Sequence, residues 1–325
     1  MKAKSIAPIK VIAIVGTTAS GKSDLAVQIA RAVRGEIVSA DSRQIYKGLD
    51  IGSGKITHAE MRGIRHHLLD VADPRKVYTV SDYQRDAAKA LADIVHRGKV
   101  PIVCGGTGFY IDAVLKGIVF PDVPPNAKLR ASLEKKSLPS LLDILKKLDA
   151  ERAKTIDANN PRRLIRAIEI AKAQKKTAKD PQPALNSQKV SLPYSILTLG
   201  ISPADIVLRQ RIWSRLKKRF KEGMLEEAIG LHKNGLSWKR MEALGLEYRY
   251  MARFLQEQKR LSKKKDKKAI IKAYVSMVSD LETEIWHYAK RQRTWFRRDK
   301  DIRWNVKNPI ALAKAFLKKG PKMLG

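Results

Sequence analysis

The chain has 325 residues, 44% of them hydrophobic, so a buried core in one large or two ordinary domains is possible and global disorder is excluded. Lys and Arg outnumber Asp and Glu by 66 to 32, a formal charge of +34, and this excess points to a polyanionic partner, nucleic acid before an anionic membrane surface. Cys104 is the only cysteine, which excludes a disulfide framework and a cysteine-rich zinc site, and no run of about 18 apolar residues predicts a membrane span.

The basic N-terminus, MKAKSIAPIK, lacks a separate apolar segment and cleavage site, so a cytoplasmic start is expected. It leads into Val11 to Ser23, VIAIVGTTASGKS. Five apolar residues predict a strand buried on both faces, and Gly16, Gly21, Lys22 and Ser23 complete the pattern G-x-x-x-x-G-K-[ST]. Such a turn directs backbone N–H groups into a concavity, with Lys22 reaching terminal phosphate oxygens and the Ser23 hydroxyl available to Mg²⁺. A helix over 22–33 begins where the phosphates would sit. The segment predicts binding of a di- or triphosphate.

Glu36 to Ala40 reads as the second strand and brings Asp41, Ser42, Arg43 and Gln44 to the edge that carries the loop. An Asp there can hold a metal, accept a proton, or merely cap a turn. Lys47 to Lys55 is a glycine-rich loop, and the adjacent His66 and His67 are expected to be structural because strand neighbours point to opposite faces. Ser81 to Arg97 is an amphipathic helix with Ser81 as its cap. Val100 to Cys104 is a further strand that runs into Gly105, Gly106, Thr107 and Gly108 without the Asp that holds Mg²⁺ in many P-loop ATPases, which argues against ordinary ATP hydrolysis.

From Pro121 to Pro193 the periods are helical and strand signals vanish, whereas Ser195 to Ile201 is strand-like again. We therefore expect a P-loop core over 1–120 and 194–325, interrupted by an all-helical insertion over 121–193. Ala178 to Lys189 reads as a polar loop. Arg162 and Arg163 lie on a helix with a basic face, after Asn159, Asn160 and Pro161; the face is either solvated or set against a polyanion. A long helix over 208–233 places Arg211, Arg215 and Arg219 on one side, with the same two readings. Glu242 to Tyr248 is a Gly-containing link between helices, Lys259 to Lys268 is a solvated cationic surface turn, the tail 318–322 is solvated, and a second long helix spans 270–293. It ends in Lys290 to Arg298, where cations alternate with aromatics in a way that suits bases and phosphates.

Seven blocks in order (GTTASGKS, DSRQIYKGLDIGSGK, HHLLDV, GGTGFYIDAVLKG, NNPRRLIRAIEI, EALGLEYRY and KRQRTWFRRDKDIRW) resemble the tRNA dimethylallyltransferase family. The resemblance implies an α/β fold with a P-loop NTPase-like parallel sheet, flanked by helices and carrying a helical insertion that clamps the anticodon arm of tRNA. It implies transfer of the dimethylallyl group from dimethylallyl diphosphate to N6 of an adenosine beside the anticodon, by a cytoplasmic, monomeric, Mg²⁺-dependent enzyme. By carry-over Gly16, Thr17, Thr18, Ala19, Ser20, Gly21, Lys22 and Ser23 hold the diphosphate. Asp41 is the general base, and Asp41, Ser42, Arg43 and Gln44 contact the target base. Thr107 lies beside the reacting groups, Arg211 and Arg215 meet the diphosphate, and Pro161, Arg162 and Arg163 contact tRNA. Two departures stand out: Thr17 replaces the common Pro, and Gly245-Leu246-Glu247 stands where Gly-Tyr-Lys/Arg is commoner. Three rivals remain at this point: a P-loop nucleotide kinase, which would not need such a charge; an isopentenyltransferase acting on free adenylate; and a tRNA-binding protein without activity, which leaves the P-loop and Asp41 unexplained.

Overall fold

The computed structural model describes residues 8–177 and 194–318. The N-terminal residues before 8, the polar loop expected at 178–189 and the tail beyond 318 lie outside them. The chain divides into two compact units, one of Met1–Gly117 with Ser191–Gly325 and one of Ile118–Val190.

In the first unit the chain forms β1 (Ile9–Gly16), α1 (Lys22–Val33), β2 (Gly35–Ser39), α2 (His58–Met61), β3 (His66–His67), α3 (Val80–His96), β4 (Val100–Gly105) and α4 (Gly108–Leu115). The second unit holds α5 (Ala127–Leu133), α6 (Leu138–Leu148), α7 (Ala150–Thr155) and α8 (Pro161–Thr177). The first unit resumes with β5 (Tyr194–Ile201), α9 (Asp205–Lys221), α10 (Met224–Lys233), α11 (Trp238–Leu244), α12 (Leu246–Lys263), α13 (Lys267–Phe296), β6 (Arg303–Trp304) and α14 (Pro309–Lys318).

Among the described residues six strands form one parallel sheet in the order β3-β2-β4-β1-β5-β6. β1 is central and its side chains from Val11 to Val15 are fully buried. Val11, Ala13 and Val15 pack into the core shared with α3, α4 and α9–α13, whereas Ile12 and Ile14 pack against α1 and α14. The period of two explains why the run is apolar without a break: both faces of the strand are covered. Because every strand runs the same way, Gly16, Ser39 and Gly105 end at one edge of the sheet, in register through Val15 opposite Gly105 and Ser39 opposite Cys104. The site forms along that edge.

Four expected boundaries differ. Thr79, not Ser81, caps α3: its hydroxyl accepts from Asp82 N–H at 3.1 Å while the Asp82 carboxylate accepts from Thr79 N–H at 3.0 Å, a reciprocal pair that Ser81 cannot make. The single helix expected over 208–233 is two, because Gly223 takes a φ of +94° that ends the helical path. Glu242 to Leu244 belong to α11, and Gly245 alone, at φ +84°, links it to α12. The cationic stretch 259–268 is mostly helical, since α12 runs to Lys263 and α13 starts at Lys267.

In the second unit Leu133, Leu141, Leu145, Leu164, Ile165 and Ile168 make a core of their own. Beside it Glu169, only 2% exposed, accepts from Asn126 N–H at 2.6 Å and pairs with Arg130 at 2.7 Å and Arg166 at 2.5 Å. Pro161 opens α8 where a helix needs no N–H, Asn160 accepts from Arg163 N–H at 3.2 Å, and Pro161, Arg162 and Arg163 are exposed.

Candidate active site

The loop between β1 and α1 is built for an anion. Gly21 precedes α1 at φ +98°, no side chain caps the helix, and the first-turn N–H groups have no intrahelical acceptor. A Cβ on Gly16 would lie 2.6 Å from the carbonyl oxygen of Ile201 and 2.9 Å from Ser20 Oγ, so the strand can pass into the loop only with glycine there. Lys22 Nζ donates to Thr17 O at 3.1 Å. Burial lowers the pKa of Lys22, opposed by Cys104 and Asp41 and assisted by Arg215. The hydroxyls of Thr17 and Ser20 are buried and lack hydrogen-bond partners among the described residues, a condition that a polar ligand relieves.

From β2, Asp41 turns back on its own segment: Oδ1 accepts from the N–H groups of Arg43 at 2.9 Å and Gln44 at 3.4 Å. The capping reading of Asp41 is therefore correct as far as one oxygen goes, and Oδ2 carries no hydrogen bond among the described residues. From β4, the Thr107 hydroxyl accepts from Ser42 N–H at 3.0 Å and lies 3.3 Å from Ser42 Oγ, which joins the ends of β2 and β4. Cys104 between them is inert, its thiol pushed up to about 12 by burial.

Helix α9 supplies the cations. Arg211 donates to Ser20 O at 3.1 Å, Arg215 to Gly54 O at 3.0 Å, and Arg219 to Gly52 O at 3.3 Å and Glu247 at 3.2 Å. The three arginines thus face the P-loop and the loop 52–54, and a solvated face is excluded for Arg215 and Arg219. Burial, followed by the neighbouring Arg219, brings the pKa of Arg215 down to about 10, still charged at neutral pH. The loop that receives them is fixed from behind by Glu227, whose carboxylate accepts from the N–H groups of Asp50 at 2.9 Å, Ile51 at 2.7 Å and Gly52 at 3.0 Å and from the Tyr248 hydroxyl at 2.7 Å.

The described residues hold no group of three His, Cys, Asp or Glu side chains able to bind a metal ion. What the P-loop offers a hard cation is the exposed Ser23 hydroxyl, next to Lys22 in the chain, with the Asp41 carboxylate acting electrostatically on Lys22. That donor set suits an ion such as Mg²⁺ that arrives on a diphosphate and keeps several waters, rather than one held in a protein cage.

The IPP transferase family model matches residues 44–299. The chain belongs to this family. It is 42% identical over 287 residues to tRNA dimethylallyltransferase 2 of Treponema denticola, covering 88% of this chain and 91% of the relative. It is 36% identical over 298 residues to the tRNA dimethylallyltransferase of Anoxybacillus flavithermus, covering 91% and 89%. Among solved structures it is similar to the tRNA isopentenylpyrophosphate transferase of Bacillus halodurans, with a TM-score of 0.65, 32% identity and 95% of each chain covered. The fold is shared with a eukaryotic dimethylallyltransferase described as acting on tRNA, at a TM-score of 0.75 and 24% identity over 97% of this chain and 81% of that one. The fold class expected from the sequence, a P-loop-like parallel sheet with flanking helices, is the one observed.

Within this member of the family the structure brings Lys22, Asp41, Thr107, Arg211 and Arg215 to one edge, together with residues that sequence reasoning missed. Gln292, on α13 and buried, accepts from Thr18 N–H at 2.8 Å and donates to Gly106 O at 2.9 Å, tying the P-loop to the glycines after β4. One turn earlier stands Tyr288; burial and then Asp41 push its pKa up to about 12, opposed in part by Thr107, so it stays a phenol at neutral pH. Their spacing of four residues was the available signal, hidden inside a segment dominated by charge. In that segment Lys290, Arg291, Arg297 and Arg298 are exposed, as a cation–aromatic surface requires, but Arg293, Trp295 and Phe296 turn inward. Trp295 Nε1 donates to Asp112 at 2.9 Å, Phe296 is buried, and Arg293 pairs with Asp205 at 2.5 Å, because the last turns of α13 close over α4 and the start of α9.

Proposed function

We propose that the protein transfers the dimethylallyl group of dimethylallyl diphosphate to N6 of the adenosine adjacent to the anticodon in tRNA, releasing diphosphate. The single observation that supports the chemistry is the way one carboxylate and two cations meet at the P-loop edge: Arg211 donates to Ser20 O, Arg215 donates to Gly54 O, and Gln44 ties that same carbonyl to Asp41 Oδ1. In this reading the N–H groups of Gly16 to Ser23, Lys22, Arg211 and Arg215 bind the diphosphate, and they take up charge on its oxygens as the allylic C–O bond breaks. The adenine amine attacks the allylic carbon, the new N6–C bond forms, and Asp41 Oδ2 accepts the N6 proton. Thr107 holds the Asp41 segment through the bond from Ser42 N–H, and Thr107 and Tyr288 present hydroxyls to the reacting groups. A Mg²⁺ ion carried on the diphosphate, next to Ser23, would neutralise part of the leaving group's charge.

The target base leaves its stack to reach Asp41, and Ser42, Arg43 and Gln44 are placed to read it. The exposed Pro161, Arg162 and Arg163 of the second unit are assigned to the tRNA backbone, which is where a formal charge of +34 finds its use. Among the described residues no helix is long and apolar enough to cross a membrane. The test is incubation with dimethylallyl diphosphate and unmodified tRNA, then mass analysis of the nucleosides. Added mass on adenosine in tRNA supports the reading. Transfer to AMP but not to tRNA, or phosphoryl transfer from ATP to a nucleoside monophosphate, replaces it with one of the two rival enzymes.

A further inference from the structure

Gly245-Leu246-Glu247 plays no part in the reaction scheme above, yet its backbone is held in an unusual shape. Gly245 lies at φ +84° and Leu246 at +32°, a left-handed value that a leucine adopts only under constraint. The bend turns Glu247 inward, where it is 9% exposed and its Oε1 accepts from Arg219 at 3.2 Å. Arg219 is buried as well and also donates to Gly52 O. A Cβ on Gly54 would collide with the guanidinium groups of both Arg215 and Arg219, so two like charges sit side by side with little water between them. Burial raises the pKa of the Glu247 carboxyl, opposed by Arg219 and Arg215, which favour its charged form, and assisted by Asp41.

We propose that Glu247 is a positioning residue that limits the grip of the cradle on diphosphate by neutralising Arg219, so that inorganic pyrophosphate can leave. The inference rests on the reading of Gly16 to Ser23 as the diphosphate cradle. Lys22, Arg211 and Arg215 already bring three cations to the anion. A fourth buried cation without a counter-charge would hold substrate and product more tightly alike. Uniform binding of that kind does not speed the chemical step and slows product release.

The measurement is the Kd of inorganic pyrophosphate, in excess magnesium chloride at fixed salt and pH, by titration calorimetry. The proteins are the wild type, Glu247→Gln, Arg219→Gln, the double variant, and Lys22→Ala as the control on the cradle. Removing the counter-charge should tighten binding roughly three- to thirty-fold in Glu247→Gln, the scale of one unit charge a few ångströms further out at intermediate permittivity. Arg219→Gln should weaken binding by a similar factor, and the double variant should return close to the wild type. If Glu247 only braces the fold, Glu247→Gln loosens Arg219 and binds pyrophosphate no better than the wild type, which overturns the proposal. Should Glu247→Gln fail to fold, the sign is read from the other pair: the double variant must bind more tightly than Arg219→Gln, and equal or weaker binding overturns the proposal. Lys22→Ala separates the two levels. If it binds as well as the wild type, the cradle itself is misassigned and both readings fall; if it binds weakly while the Glu247 series departs from the expected order, only this inference falls.

Discussion

Arg215 and Gln44 donate to the same carbonyl oxygen, that of Gly54, at 3.0 and 3.2 Å. One is the proposed diphosphate ligand on α9, the other the proposed reader of the target base after β2. A single backbone atom thus sets the spacing between the two halves of the reaction, and Glu227 and Arg219 hold the loop that carries it. Effective catalysis depends on this kind of alignment, where a misplacement of about 1 Å costs on the order of a hundredfold.

Gly54→Ala is therefore expected to lower kcat/KM by roughly a hundredfold or more. The new methyl group would strike Arg215 and Arg219, and the backbone there sits at φ +59°. Steady-state kinetics with both substrates check this, together with a tRNA binding assay, which should change little. Turnover close to that of the wild type would show that the shared carbonyl does not align the two subsites.

Asp41→Asn separates the two roles of Asp41. The amide oxygen can still accept from Arg43 and Gln44 N–H, so the turn is kept, but the group can no longer take a proton. The expected loss in kcat is roughly 10²–10⁴-fold with tRNA affinity nearly unchanged. Near-normal single-turnover rates would remove Asp41 as the base.

Removing Arg162 and Arg163 together should weaken binding to many tRNAs. It should also reduce the slope of log affinity against log salt by up to about 2, because each phosphate contact releases condensed counterions. Both side chains are exposed on α8 and carry none of the core of the second unit. Affinities across a salt series test this, with Gln44→Ala as the contrast: it should impair modification and leave the slope unaltered.

Acid stability should depend on Glu36 at the end of the sheet away from the site. Bidentate pairing with Arg97, at 2.5 and 2.6 Å, outweighs burial and, with His67 at 2.8 Å, holds the Glu36 carboxyl down at about 2 against an ordinary 4.5. A depressed carboxylate stabilises the fold above its unfolded pKa, so this contribution is complete above about pH 4.5 and is lost between there and about pH 2. Glu36→Gln should cost up to about 3 kcal/mol near pH 7. The gap between variant and wild type, followed by urea unfolding across pH, should close as the solution is acidified. A gap that stays constant with pH would mean that the pair contributes through packing alone.

The sequence by itself determined the P-loop, the buried strand that feeds it, the helix that starts on it, and the break in pattern where strand signals give way to helices near Pro121. These are local matters. Glycine conformation, period-two burial and helix N-termini act over a few residues and need no knowledge of what packs where. Charge composition likewise called for a polyanion before any contact was known. Neighbouring hydrogen bonds already strained this local reading: Thr79 outcompetes Ser81 as a cap only because Asp82 returns its bond, and Gly223 breaks a helix whose side-chain pattern runs on. What only the tertiary structure decided is which distant residues share the site. Gln292 reaches Thr18 across 274 positions, Tyr288 reaches Thr107, and Glu227 holds a loop 175 residues earlier at Gly52. The strand order and the burial of one face of α13 put them there; the four-residue spacing of Tyr288 and Gln292 sets them on one face of that helix but does not say that the face meets a P-loop rather than water. Arg219 and Glu247 make the same point: both are charged residues on helices that look solvated, and they are partners only because α9 and α12 bury them together.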